Sequence, residues 1–140
     1  MSRFAVTRSY HFSAAHQLAN AALSDEENAR IYGQCFRQHG HNYVLEVTVA
    51  GALDEATGMS VDLGTVDAAV KAAVLDRVDH YDLSATVPAL AGVITTGENL
   101  ARAFYQWIEA ALPPGRLERV TLVETANNVF EYSGETTPAR

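Results

Sequence analysis

His39-Gly40-His41-Asn42-Tyr43-Val44-Leu45-Glu46-Val47-Thr48-Val49 decides how the chain must fold. Tyr43, Leu45, Val47 and Val49 recur at every second residue. That period is the signature of a β-strand with one buried face, and it runs from about residue 39 to 53. His39 and His41 share the parity of those apolar residues. Both imidazoles therefore project from the same side of the strand.

Working outward, residues 3–16 alternate in the same way, with Phe4, Val6, Arg8, Tyr10, Phe12, Ala14 and His16 on one face. Ser24-Asp25-Glu26-Glu27-Asn28 carries a helix-start pattern, Ser24 capping and Glu27 three places on. Asp54 to Gly58 reads as a turn. The period then lengthens. Val66, Ala69, Val70, Ala73 and Val74 predict a helix over residues 65–77. Leu100, Ala103, Phe104, Trp107, Ile108 and Ala111 predict another over 98–112, stopped by Pro113-Pro114-Gly115. Val120, Leu122 and Glu124 share a face of a third strand, and a turn at Asn127-Asn128 leads to a fourth over 129–133. Two hairpins with helices between them make an α+β domain, an antiparallel sheet covered on one face. The sheet's open edges invite strands from neighbouring copies.

The 140 residues suit a single domain over 1–140. A net charge of -7 argues against a nucleic-acid partner, because phosphate backbones would be repelled. No apolar run is long enough for a membrane helix, and the first residues lack the apolar stretch of a signal peptide. With one cysteine, Cys35, and no export signal, a reducing cytoplasmic setting is expected.

Five histidines are present, and His39-Gly40-His41 is the sharpest chemical signal. His16 ends the first strand and can add a third imidazole from the neighbouring strand. Three nitrogens and an open position make a catalytic zinc site. A chance pairing of surface histidines is the competing reading. His11 has the opposite parity to His16 and is assigned to structure. Cys35 lies four residues before His39. It reads as a proton-transfer thiol, as a fourth ligand, or as an inert buried cysteine. Asp79-His80 follows the first long helix and reads as a relay with Cys35 or as a solvated helix end. Glu124 sits in an apolar strand and needs a bidentate donor, either an arginine or the amidine-like edge of a ligand. Thr95 or Thr96 suits a helix N-cap, with Glu98 in the first turn and Asp62 capping the earlier helix.

Together these motifs resemble the 6-pyruvoyltetrahydropterin synthase family, which also includes bacterial 6-carboxytetrahydropterin synthases. The resemblance is carried by Phe12-Ser13-Ala14-Ala15-His16, Gly33-Gln34-Cys35, His39-Gly40-His41-Asn42-Tyr43, Thr57-Gly58-Met59, Val78-Asp79-His80, Gly97-Glu98-Asn99 and Val123-Glu124-Thr125-Ala126-Asn127-Asn128. It implies the tunnelling fold, an antiparallel ββααββ unit. Trimers of that unit close a barrel, and two barrels stack into a homohexamer with sites at subunit interfaces. It also implies a zinc-dependent lyase of tetrahydrobiopterin biosynthesis. Such an enzyme converts 7,8-dihydroneopterin triphosphate to 6-pyruvoyltetrahydropterin and eliminates triphosphate. Carried over, His16, His39 and His41 hold Zn2+, and Cys35, Asp79 and His80 move protons. Glu124 binds the pterin edge, helped by Thr96 and Glu98. The three-residue gap between Cys35 and His39 is similar to that of the 6-carboxy enzymes of queuosine biosynthesis. Residues 23–28, His41-Asn42-Tyr43 and Asn127-Asn128 are closer to the animal pyruvoyl type. Gly97 stands where that type tends to carry a second threonine. A non-catalytic zinc- or pterin-binding module is the reading from another class, and the thiol and Asp79-His80 speak against it.

Overall fold

The two long alternating segments pair with each other in the computed structural model, which describes residues 2–135. Strand β1 spans Arg3–His16 and β2 spans His39–Ala52. Their antiparallel register is unbroken from Arg3↔Ala52 to His16↔His39. The hairpin is closed by a helical excursion. Its helix α1, Asp25–Tyr32, is capped by Ser24, whose hydroxyl accepts from Glu27 N at 3.1 Å. A 3₁₀ turn over Gly33–Phe36 follows.

The turn after β2 is tied by Gly58 N donating to Asp54 O at 2.7 Å, with Gly58 at φ 73°. That is a backbone conformation glycine adopts without penalty. Asp62 then caps α2, Leu63–Val70. The helical run continues through a π turn at Lys71–Leu75 into α3, Asp76–Val78. Sequence periodicity predicted one helix here. The extra residue of the π turn is invisible to a 3.6-residue period. Helix α4, Gly97–Ala111, begins at Thr96, whose hydroxyl accepts from Asn99 N at 3.3 Å.

Strand β3, Leu117–Thr125, pairs with β2 across a bulge at Thr48/Val49, and β4, Asn128–Tyr132, pairs with β3. The tight turn is Ala126-Asn127, so Asn128 is already in β4. Sheet order is β1-β2-β3-β4, an α+β arrangement with four antiparallel strands. Leu45, Val47, Val120 and Leu122 meet Val66, Val70, Val74, Leu100, Phe104 and Ile108 in one buried core. Burial of each such side chain is worth about 1.5–3 kcal/mol. Phe12 stacks on Tyr43 at 4.8 Å and meets Phe104 edge-on, so the aromatic layer reaches the sheet's histidine end. Among the described residues no helix is long and apolar enough to cross a membrane.

One irregular segment matters for the site. After α3 the chain runs beside β1 like a fragment of a parallel strand. His80 N donates to Ser13 O, Ala15 N to Tyr81 O and Leu83 N to Ala15 O, at 2.7–3.1 Å.

Candidate metal centre

The β1–β2 register sets His16 opposite His39, and strand alternation returns His41 to the same face. The three rings are 4.5–5.1 Å apart between centroids. One ligand nitrogen from each lies within 4.8 Å of the others. His16 Nδ1 is 3.0 Å from the Thr95 carbonyl, and His39 Nδ1 is 2.6 Å from the Arg37 carbonyl. A carbonyl can only accept, so both rings carry their proton on Nδ1 and leave Nε2 free as an acceptor. The Nε2 atoms of His16 and His41 are buried with no hydrogen-bond partner. An unmet buried acceptor costs about 1–3 kcal/mol, and a bound cation removes that cost. The residues therefore fit a metal ion. Burial holds both His16 and His41 below the usual histidine range, outweighing the opposing pull of the Thr95 carbonyl on His16 and of Glu124 on His41. Neutral imidazole is the form that binds metal.

Glu124 follows Val123, which pairs with Val44, so the next step of the ladder sets it beside Tyr43. Its carboxylate is 3.8 Å from His41 Nε2. That distance is too long for a hydrogen bond, and His41 is held neutral, so the pair is not an ion pair at neutral pH. No arginine meets Glu124 among the described ion pairs. Its capacity for a bidentate donor stays open. Tyr43 is buried against Phe12, His16 and His41, and its hydroxyl also lacks a partner. Burial, and then the Glu124 charge, push that hydroxyl above its ordinary range. Strand parity placed Tyr43 in the core, but gave no sign that its polar end would be unmatched.

Cys35 sits half-buried in the 3₁₀ turn, and its carbonyl accepts from Leu18 N at 2.9 Å. That bond ties the turn to the chain just past His16. Asp79 and His80 are placed elsewhere. Asp79 Oδ1 accepts from Ser13 N at 3.0 Å and from His80 Nδ1 at 2.9 Å. Direct pairing of adjacent residues is uncommon, and here it relies on a left-handed backbone at His80, φ 67°. The His80 side chain is 81% exposed and borders an open cavity with Ser13, Gly40, His41 and Asn42. Ser13 and Asn42 belong to the sheet face opposite His16 and His41. The dyad is anchored at the outer edge of β1 through Ser13 N, and the cavity it borders also reaches His41.

Thr96 spends its hydroxyl on the helix cap, whereas Thr95 turns inward to His16. Glu98, in the first turn of α4, borders a separate cavity with Arg102 and Phe130. Gly97 packs under Phe130, where a Cβ would lie 2.1 Å from the ring. Thr95 was legible only as a possible cap. Its contact with His16 spans 79 residues, and no local pattern encodes it.

The sequence profile of 6-pyruvoyl tetrahydropterin synthase matches residues 5–135. The chain belongs to the 6-pyruvoyl tetrahydropterin synthase family. It is 42% identical over 132 residues to the 6-pyruvoyl tetrahydrobiopterin synthase of Pongo abelii, across 93% of this chain and 91% of that protein. Its fold matches the Caenorhabditis elegans 6-pyruvoyl tetrahydropterin synthase structure with a TM-score of 0.91 at 36% identity, covering 96% of this chain and 98% of that one. The 6-carboxy-5,6,7,8-tetrahydropterin synthase of Aquifex aeolicus is more distant, 26% identical over 162 residues, across 95% of this chain and 99% of that protein.

Proposed function

We propose that the chain is a zinc-dependent 6-pyruvoyltetrahydropterin synthase that acts on 7,8-dihydroneopterin triphosphate and eliminates triphosphate. The observation that carries the reading is the cluster of three histidines, with the Nε2 atoms of His16 and His41 buried and unmatched and His41 beside Glu124. Its occurrence in a member of this family supports the assignment. His16, His39 and His41 hold the metal. When bound, zinc supplies Lewis-acid polarisation of a substrate oxygen, which makes the adjacent C–H protons removable.

The residues of the chain do the rest. Glu124 accepts two hydrogen bonds from the guanidine-like edge of the pterin and so fixes the ring against the histidine cluster. Thr96 and Glu98, which in their own chain respectively cap α4 and border a separate cavity, help to place it from a neighbouring copy. Cys35, from the turn beside His16, accepts and returns the side-chain proton. Asp79 keeps the His80 proton on Nδ1, which leaves Nε2 as the exchanging atom. Because the His80 ring is exposed and its described hydrogen bond is to Asp79 and not to the cluster of its own chain, it serves the site of a neighbouring copy in a homohexamer. The transformation is an internal redox exchange. The ring gains what the side chain loses, and triphosphate departs with the electron pair of its C–O bond.

The 6-carboxy reaction is the second reading, favoured by the three-residue gap Phe36-Arg37-Gln38 between Cys35 and His39. The higher identity to pyruvoyl enzymes favours the first. A non-catalytic binding module has no use for an oriented Asp79–His80 pair. Triphosphate release tests the proposal. The wild type should release it with zinc present, and Cys35→Ala should release it about 100- to 10,000-fold more slowly while keeping its metal. A wild type that binds zinc and substrate yet releases none would overturn it.

A further inference from the structure

The His16 ring closes a circuit of hydrogen bonds that ends on its own neighbour in the chain. Its Nδ1 faces the Thr95 carbonyl at 3.0 Å and the Thr95 hydroxyl at 3.4 Å. Thr95 Oγ1 is 3.0 Å from Ser84 Oγ. Ser84 Oγ accepts from Gln17 N and donates to Gln17 O, both at 3.0 Å. Gln17 directly follows His16. The protons close consistently: Nδ1–H goes to Thr95 O, the Thr95 hydroxyl proton to Ser84 Oγ, and the Ser84 proton to Gln17 O. Thr95 is 1% exposed, so its hydroxyl has no water to fall back on.

The segment carrying Ser84 is anchored a second time. Asp82 Oδ1 accepts from Ser84 N at 2.9 Å and from Ala85 N at 3.1 Å. Asp82 Oδ2 accepts from Gln38 Nε2, and Gln38 directly precedes His39. Residues 80–86 thus hold the neighbours of two of the three histidines, and the same segment begins with His80.

We propose that Thr95 and Ser84 are positioning residues of the metal site, their paired hydroxyls pinning in place the Thr95 carbonyl that sets the tautomer and tilt of His16, so that Nε2 points at the ion. The inference rests on the reading of His16, His39 and His41 as zinc ligands. Neither residue touches substrate. Partners that orient a ligating histidine typically change metal affinity about 10- to 100-fold when removed.

The test uses the full chain and a chelator competition with zinc alone. Thr95→Val keeps the shape and deletes the hydroxyl. It should raise the zinc dissociation constant by about 10- to 100-fold. Thr95→Ser, which restores the hydroxyl, should return close to wild type. Ser84→Ala should weaken zinc in the same direction, and adding it to Thr95→Val should cost less than the two separate losses combined, because both break one circuit. Nitrogen-15 spectra of the metal-free protein give a readout independent of zinc. They should show His16 in the Nδ1–H tautomer in the wild type and Thr95→Ser, and mixed in Thr95→Val. Wild-type zinc affinity and an unmixed tautomer in Thr95→Val would overturn the inference. If Thr95→Val fails to fold, Ser84→Ala, at an exposed position, decides by the same criterion. Failure of the wild type itself to take zinc removes the metal reading, and the inference falls with it.

Discussion

Burial of the histidine cluster gives the protein a stability that depends on pH. His16 and His41 titrate below the ordinary value of 6.5 in the folded chain, mainly because burial disfavours the charged ring. Below pH 6.5 the unfolded chain therefore binds protons that the folded chain does not, so unfolding gains as pH falls. The contribution is fully present above pH 6.5 and is lost as the pH drops towards the depressed folded values. Metal-free protein should show its urea midpoint falling as the pH drops below 6.5, with His16→Asn flattening the slope. Zinc should steepen the dependence, since the ligands must be neutral to bind it. His39→Ala should copurify with little zinc, checked by elemental analysis. Glu124→Ala should keep its zinc but bind pterin about 1–3 kcal/mol more weakly, checked by calorimetry, because the guanidine-like edge loses its acceptor.

At the scale of elements, α4 and β4 meet where Gly97 lies under Phe130. A Gly→Ala change at a helix start ordinarily gains up to about 1 kcal/mol in helix propensity. Here the added Cβ meets the ring, and overpacking of this kind costs about 1–3 kcal/mol. Gly97→Ala should therefore lower stability in a denaturant titration. In a Phe130→Ala background the same change should be neutral or favourable. The place where the family's pyruvoyl type tends to have a second threonine is thus filled by Phe130.

Elements of this kind were partly legible. Alternation gave β1 and β2 with the right face inward, because the sheet is covered on one side only. The period of α4 gave that helix within a residue at each end. The same-face argument for His16, His39 and His41 needed only register, which two long strands supply. What was not legible depends on distance in sequence. The π turn at 71–75 breaks no pattern, and residues 80–86 have no period because they attach to β1 rather than form a strand. The sequence leaves Asp79-His80 open between a relay with Cys35 and a solvated helix end, and only the three-dimensional path shows Asp79 anchored to Ser13 N at the edge of β1 with the His80 ring exposed.

For the whole molecule, β4 and the part of β1 before Ser13 are open edges among the described residues, with Phe4 and Val129 exposed. Open edges favour pairing between copies, and the exposed His80 ring is available to such a copy. Light scattering should give a homohexamer of about 90 kDa, six copies of a 15.1 kDa chain. A monomer at micromolar concentration would contradict the shared site.

Mass analysis of the product formed from 7,8-dihydroneopterin triphosphate by the zinc-loaded protein bears most directly on the pterin synthase reading. The account predicts 6-pyruvoyltetrahydropterin together with one triphosphate per turnover. A product lacking two side-chain carbons would move the chain to the 6-carboxy reaction, and unchanged substrate in the presence of bound zinc would contradict the catalytic role assigned to Cys35 and His80.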